Sequence, residues 1–205
     1  IDAPYHTNQI EVIRSIAKSI PANQKLYVKE HPSQYLRGWR EISDYNSIMK
    51  IPNVILIHPE FSSEKLYQKC SLVITISGTA GFEAALYEKP SIILNELRYS
   101  ILPSVHKLKS FEELPSVINN SIETKVNIDD INRYVKLLES VTIEFNWLEF
   151  QQKFQKEFYF NDTFRNAKIS ESKLKKFIEQ NKNILEQLAK DHIKKMNELE
   201  NNSNC

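Results

Sequence analysis

Glycine is nearly absent from this chain, at three residues in 205. That scarcity excludes glycine-rich linkers and low-complexity segments, and it makes the place of each glycine informative. Cysteine is scarcer still. Cys70 has apolar neighbours and Cys205 ends a polar tail. They make neither a disulfide framework nor a metal-ligand spacing, which fits a reducing, cytoplasmic setting with Cys70 as a small buried hydrophobe. Neither sign of charge dominates. A net charge of +1 gives no bulk attraction to nucleic acid or to an anionic membrane, and no nucleic-acid partner is expected. No apolar run approaches the roughly 20 residues that span a bilayer. No signal peptide is visible, and a first residue of Ile1 reads as an internal start.

What is present is enough apolar sequence, 41%, for one packed domain and an appendage. Gln9 to Ser19 has helical spacing, and Lys25 to Val28 reads as a strand stopped by Pro32. A loop then leads to a helical piece around Tyr45 to Met49. Val54 to Ile57, Leu72 to Ile76 and Ser91 to Leu94 read as buried strands. Ser62 or Ser63 caps a brief helix through Lys69, and Phe82 to Tyr87 is helical. Ser110-Phe111-Glu112-Glu113 matches a capping box ahead of a helix to about Asn119. This alternation implies an α/β fold with a parallel sheet over residues 1–125, whose ligands gather beyond the C-terminal strand ends. Residues 126–198 read as an all-helical extension with helices at 128–141, 146–158 and 170–198, and 199–205 as a disordered tail. An aromatic stripe of Phe145, Trp147, Phe150, Phe154, Phe158 and Phe160 is read as packing on the α/β domain.

Two segments carry chemistry. The first is Ser77-Gly78-Thr79-Ala80-Gly81, which holds two of the three glycines between a strand and a helix. Its backbone N–H groups favour a phosphate or another anion. Ser77 and Thr79 fit either phosphate ligands or helix caps. Glu83, one turn on, fits either an acceptor for sugar hydroxyls or a carboxylate placed for the helix dipole. The second is Lys29-Glu30-His31-Pro32-Ser33 at another strand end, where a histidine can bond a phosphate oxygen and exchange a proton near neutral pH. Pro32 fixes the backbone there. His58-Pro59 has the same form, and His31 is preferred because its neighbours Lys29 and Glu30 are charged. His6, His106 and His192 lack metal-ligand spacing, so no metal is expected. There is neither a Walker loop nor a GxGxxG fingerprint.

Together, Leu26 to Pro32, Pro52 to Ile57, Val73 to Ala85, Lys89-Pro90 and Ile101 to Val105 resemble the capsule polysaccharide biosynthesis/export family, which includes the bacterial Kdo transferases of capsule assembly. The likeness covers about residues 1–120. It implies the C-terminal, nucleotide-sugar-binding half of a GT-B type glycosyltransferase, with its Rossmann-like first strand missing. Such proteins are similar to CMP-sugar sialyltransferases in their His-Pro and Ser/Thr motifs. Carried over, His31 is the catalytic residue and grips the donor phosphate with Ser77 and Thr79, while Glu83 faces the nucleoside. Lys29, Glu30, Pro32, Gly78, Ala80 and Gly81 complete the substrate-binding set. The general base would come from the missing N-terminal half.

The implied activity moves a sugar from a nucleotide-sugar, a CMP-linked one by that likeness, to a glycan or lipid-linked acceptor. The nucleotide-sugar is substrate and no cofactor is expected. Peripheral association with membrane-bound polysaccharide assembly proteins at the inner face of the membrane is also implied. Alternatives are a UDP-sugar 2-epimerase-like enzyme and a non-catalytic GT-B-like module of capsule assembly or export. The chain departs from the family at Asn95-Glu96, where members often carry glycine, and at Glu88, where a small residue is usual.

Overall fold

The computed structural model describes residues 7–32, 34, 40–159 and 169–203. Ser33, Phe160, Cys205 and His6 lie outside the described residues. The chain divides into two units, Ile1–Tyr134 and Val135–Cys205.

In the first unit the elements alternate. They are α1 (Gln9–Ser19), β1 (Leu26–Lys29), α2 (Ile42–Met49), β2 (Val54–Ile57), α3 (Ser63–Lys69), β3 (Val73–Thr75), α4 (Ala80–Leu86), β4 (Ser91–Ile93), β5 (Val105–Lys107) and α5 (Leu114–Glu123). Short 3-10 turns at Arg98–Ile101 and Phe111–Glu113 flank β5. Asn8 caps α1 by accepting from the Glu11 N–H, and Ser62 caps α3 by accepting from the Lys65 N–H.

All strand pairing is parallel. However, the single sheet expected is present as two ladders, β1–β2 and β3–β4–β5. Lys29 pairs with Ile57, and Thr75 with Ile93 and then Lys107, so each ladder has its strand ends on one edge. Side chains join the two. Leu26 packs against both hydrophobic clusters, one centred on Ile16, Ile92, Leu114 and Ile118 and the other on Ala17, Ile48 and Val54. Alternation along β4 sends Ile92 into the first cluster and Ser91 to the opposite face, beneath Gly81 of α4.

Three local expectations are corrected. Val105–Lys107 is a strand that the sequence reading leaves out. The Ser110 hydroxyl makes no cap bond and instead holds Glu112 below its ordinary pKa, so the segment forms a 3-10 turn and the helix begins at Leu114. The 170–198 helix is two helices broken at Asn181 (below).

Helix α4 ends in a Schellman motif. The Glu88 N–H donates to Ala85 O at 2.9 Å and the Lys89 N–H to Ala84 O at 3.0 Å. This requires φ of 59° at Glu88, the departure from a small residue noted above. A left-handed conformation burdens a non-glycine residue by about 1–2 kcal/mol, and glycine's greater unfolded-state entropy returns part of that. Glu88→Gly is therefore expected to stabilise the protein by about 0.5–1 kcal/mol, read as a higher urea midpoint at unchanged slope.

The second unit is helical. After the end of α6 (Ile128–Val141), which starts in the first unit, come α7 (Trp147–Phe158), α8 (Glu171–Gln180) and α9 (Lys182–Ser203). The buried Asn181 separates the last two. Its Nδ2 donates to Phe177 O at 2.8 Å, the same carbonyl that accepts its backbone N–H at 3.1 Å, so the amide caps the last turn of α8. Helix α9 runs through Ser203, into the segment expected as a disordered tail. Within this unit the aromatic stripe packs on α8. Phe150, Phe154 and Phe158, four residues apart on α7, surround Phe177 at 5.9, 5.8 and 5.0 Å between centroids. Trp147 remains 60% exposed.

Candidate functional site

The strand-end segments converge in the first unit. Lys29 closes β1, and Glu83 stands in the first turn of α4. Partial burial lowers the Lys29 pKa, and the Glu83 carboxylate opposes that shift. Their mutual field places the end of the β1–β2 ladder and the loop after β3 in one neighbourhood.

Glu83 is held from both sides. The Thr79 hydroxyl donates to Oε1 at 2.6 Å, and the Tyr67 hydroxyl donates to Oε2 at 3.0 Å. Tyr67 is buried, which together with the carboxylate pushes its phenol well above the usual range. Each Glu83 oxygen retains a lone pair, so the carboxylate can still accept from ligand hydroxyls.

The glycine loop is exposed at Ser77, Gly78 and Thr79 and turns inward at Ala80 and Gly81. The Gly78 N–H donates to Thr75 Oγ1 at 3.1 Å. Thr79 occupies the cap position of α4 without a side-chain cap bond, because its hydroxyl goes to Glu83. Neither glycine is there for a left-handed backbone. Both are there for space. A Cβ on Gly81 would lie 2.8 Å from Tyr99 Oη and 3.0 Å from Ser91 Oγ, and one on Gly78 would lie 3.0 Å from Thr75 Oγ1.

On the β1 side, His31 and Pro32 are exposed, and the Gln34 N–H closes a turn on His31 O at 2.9 Å. Proline suits the second position of such a turn. Glu30 points elsewhere. Its side chain is 9% exposed, Arg40 Nε donates to Oε1, and the Tyr45 hydroxyl donates to Oε2 at 2.7 Å. Arg40 also donates to Gln9. Glu30 thus anchors the segment that carries His31, and its oxygens are engaged within the fold.

Sequence reasoning brought Lys29, His31, the glycine loop and Glu83 together. It missed Tyr67, Tyr99, Arg40 and Tyr45. Tyr67 was detectable as the buried face of α3, whereas Tyr99 lies in a 3-10 turn without periodicity. His58 is well exposed and accepts from the nearby Glu60 N–H at 3.3 Å. Among the described residues, no group of three or more His, Cys, Asp or Glu could hold a metal ion. A cavity of about 850 Å³ lies in the helical unit, between α7 and α9. Its rim is largely paired internally (Glu149 with Lys153, Gln187 with Asp191, Lys195 with Glu198), so few polar groups there face a ligand.

Residues 4–103 match the family model described as capsule polysaccharide biosynthesis protein. Over that segment, just under half of its length, the chain is similar to the capsule polysaccharide biosynthesis family. The matched segment holds every residue of the site and ends before β5, short of the reach to 120 expected from the sequence. No curated protein and no solved structure matches the chain. The family supports a role in capsule polysaccharide synthesis. Among the described residues, no helix is long and apolar enough to cross a membrane.

Proposed function

We propose that the first unit is the donor-binding half of a GT-B type glycosyltransferase of capsule synthesis. It takes a nucleotide-sugar, CMP-linked, and transfers the sugar to a glycan or lipid-linked acceptor. The observation that carries this reading is the match to the capsule polysaccharide biosynthesis family over a segment in which Thr79 and Tyr67 hold the Glu83 carboxylate beside the glycine loop. Lys29, His31, Ser77 and the loop amides form a cationic and donor-rich side suited to a phosphate. Glu83, buttressed by Thr79 and Tyr67, forms an acceptor side suited to nucleoside or sugar hydroxyls.

In this mechanism, negative charge develops on the phosphate of the departing nucleotide. Lys29, His31 and the loop donors, already oriented, stabilise that charge more in the transition state than in the ground state. Glu83 holds the nucleoside end, so the reacting carbon is placed rather than merely bound. The acceptor hydroxyl loses its proton to a base outside this chain. Glu30 and Arg40 position the His31 segment without touching substrate.

The test is a calorimetric titration of CMP, UDP and GDP into the protein. Selective binding of CMP is the expected result. Preference for UDP would move the reading to a UDP-sugar enzyme, and absence of all three affinities would overturn it.

A further inference from the structure

We propose that Tyr99 is a positioning residue that sets the shape of the Ser77–Gly81 loop, and that its hydroxyl, rather than its ring, sets the loop's affinity for a nucleotide phosphate. The second half of this statement rests on the function proposed above; the first half stands on the geometry alone.

Tyr99 is 6% exposed, in the 3-10 turn after β4. Its hydroxyl donates to the Gly78 carbonyl at 2.5 Å, and the Gly81 amide acts on the hydroxyl oxygen of Tyr99 itself. One buried hydroxyl thus bridges the two glycines of an otherwise exposed loop. Burial pushes this phenol up to about 12, against the Gly81 amide, so it remains a donor throughout the working range of pH. The approach depends on Gly81, where any Cβ would stand in the way of the ring, and on Ser91 beneath it.

The consequence follows from peptide planarity. In a trans peptide the C=O of one residue and the N–H of the next point in opposite directions. Tyr99 draws the Gly78 carbonyl inward, so the Thr79 N–H is turned outward, to the exposed side of the loop. The same Thr79 commits its hydroxyl to Glu83. Tyr99 therefore directs a backbone donor toward the ligand side while the Thr79 hydroxyl orients Glu83. Without the hydroxyl, the Gly78–Thr79 peptide is free to rotate, and binding must first order it.

Tyr99→Phe tests this, because it keeps the ring, which packs on Phe82 at 6.1 Å, and removes only the bridge. Two readouts are taken on the whole chain: amide hydrogen exchange at Gly78 and Gly81 relative to Ile92 in the core, and CMP affinity by calorimetry. The expected result is loop exchange at least fivefold faster relative to Ile92, with CMP bound about tenfold more weakly. Equal acceleration at Ile92, or unchanged loop exchange, overturns the positioning role. Unchanged CMP affinity in the variant overturns the link to binding. If the unsubstituted protein binds no nucleotide, the proposed function fails, and the exchange ratio alone decides the role of Tyr99.

Discussion

His31→Ala is expected to weaken nucleotide binding by about 10- to 150-fold, the equivalent of losing one charge-assisted hydrogen bond of about 1.5–3 kcal/mol. Stability should hardly move. His31 is exposed beyond the end of β1, and its segment is fixed from behind by Glu30 with Arg40 and Tyr45, none of which the substitution touches. Changes at exposed positions of this kind stay within about 0.5 kcal/mol. Calorimetry with CMP gives the first quantity and urea unfolding the second. Unchanged affinity would remove His31 from the site. A large fall in stability would instead make it part of the fold.

Gly81→Val should reverse that balance, lowering stability by about 1–3 kcal/mol through overpacking. Gly81 is buried, its neighbours Ala84 and Ala85 are 0% and 1% exposed, and the added carbon meets Tyr99 on one side and Ser91 on the other. Valine brings two further methyls into the same space. The greater helix propensity of a residue with a side chain offsets less than about 1 kcal/mol of this. Displacing Tyr99 also frees the Gly78 carbonyl, so CMP affinity should fall with stability. A urea midpoint equal to that of the unsubstituted protein would show that α4 shifts off β4 without strain.

The parts of this structure that were legible in the sequence are those set by local pattern. Gln9–Ser19 declares itself by apolar spacing, Val54–Ile57 by an unbroken β-branched and leucine run, and Ile128–Val141 by periodicity. What was not legible depends on distant partners. Val105–Lys107 has one apolar residue followed by His and Lys, no pattern to read, and is a strand because Ser91–Ile93 lies beside it. Asn181 is unremarkable in a helical pattern until burial forces its amide onto the Phe177 carbonyl. The same limit governs the site. The strand-end residues were selected by motif and family resemblance. The phenols that fix them were not, because Tyr99 reaches Gly78 from 21 positions away and Tyr67 reaches Glu83 from 16.

The division of the strands into two ladders has a mechanical meaning. Lys29 and His31 travel with β1 and β2, whereas the glycine loop and Glu83 travel with β3 and β4. The described ladders meet through Leu26 and its apolar neighbours, contacts that tolerate sliding where hydrogen bonds do not. A relative movement of the two ladders is then a shear of packed side chains, a small translation with every backbone bond intact, and calls for no hinge in the chain.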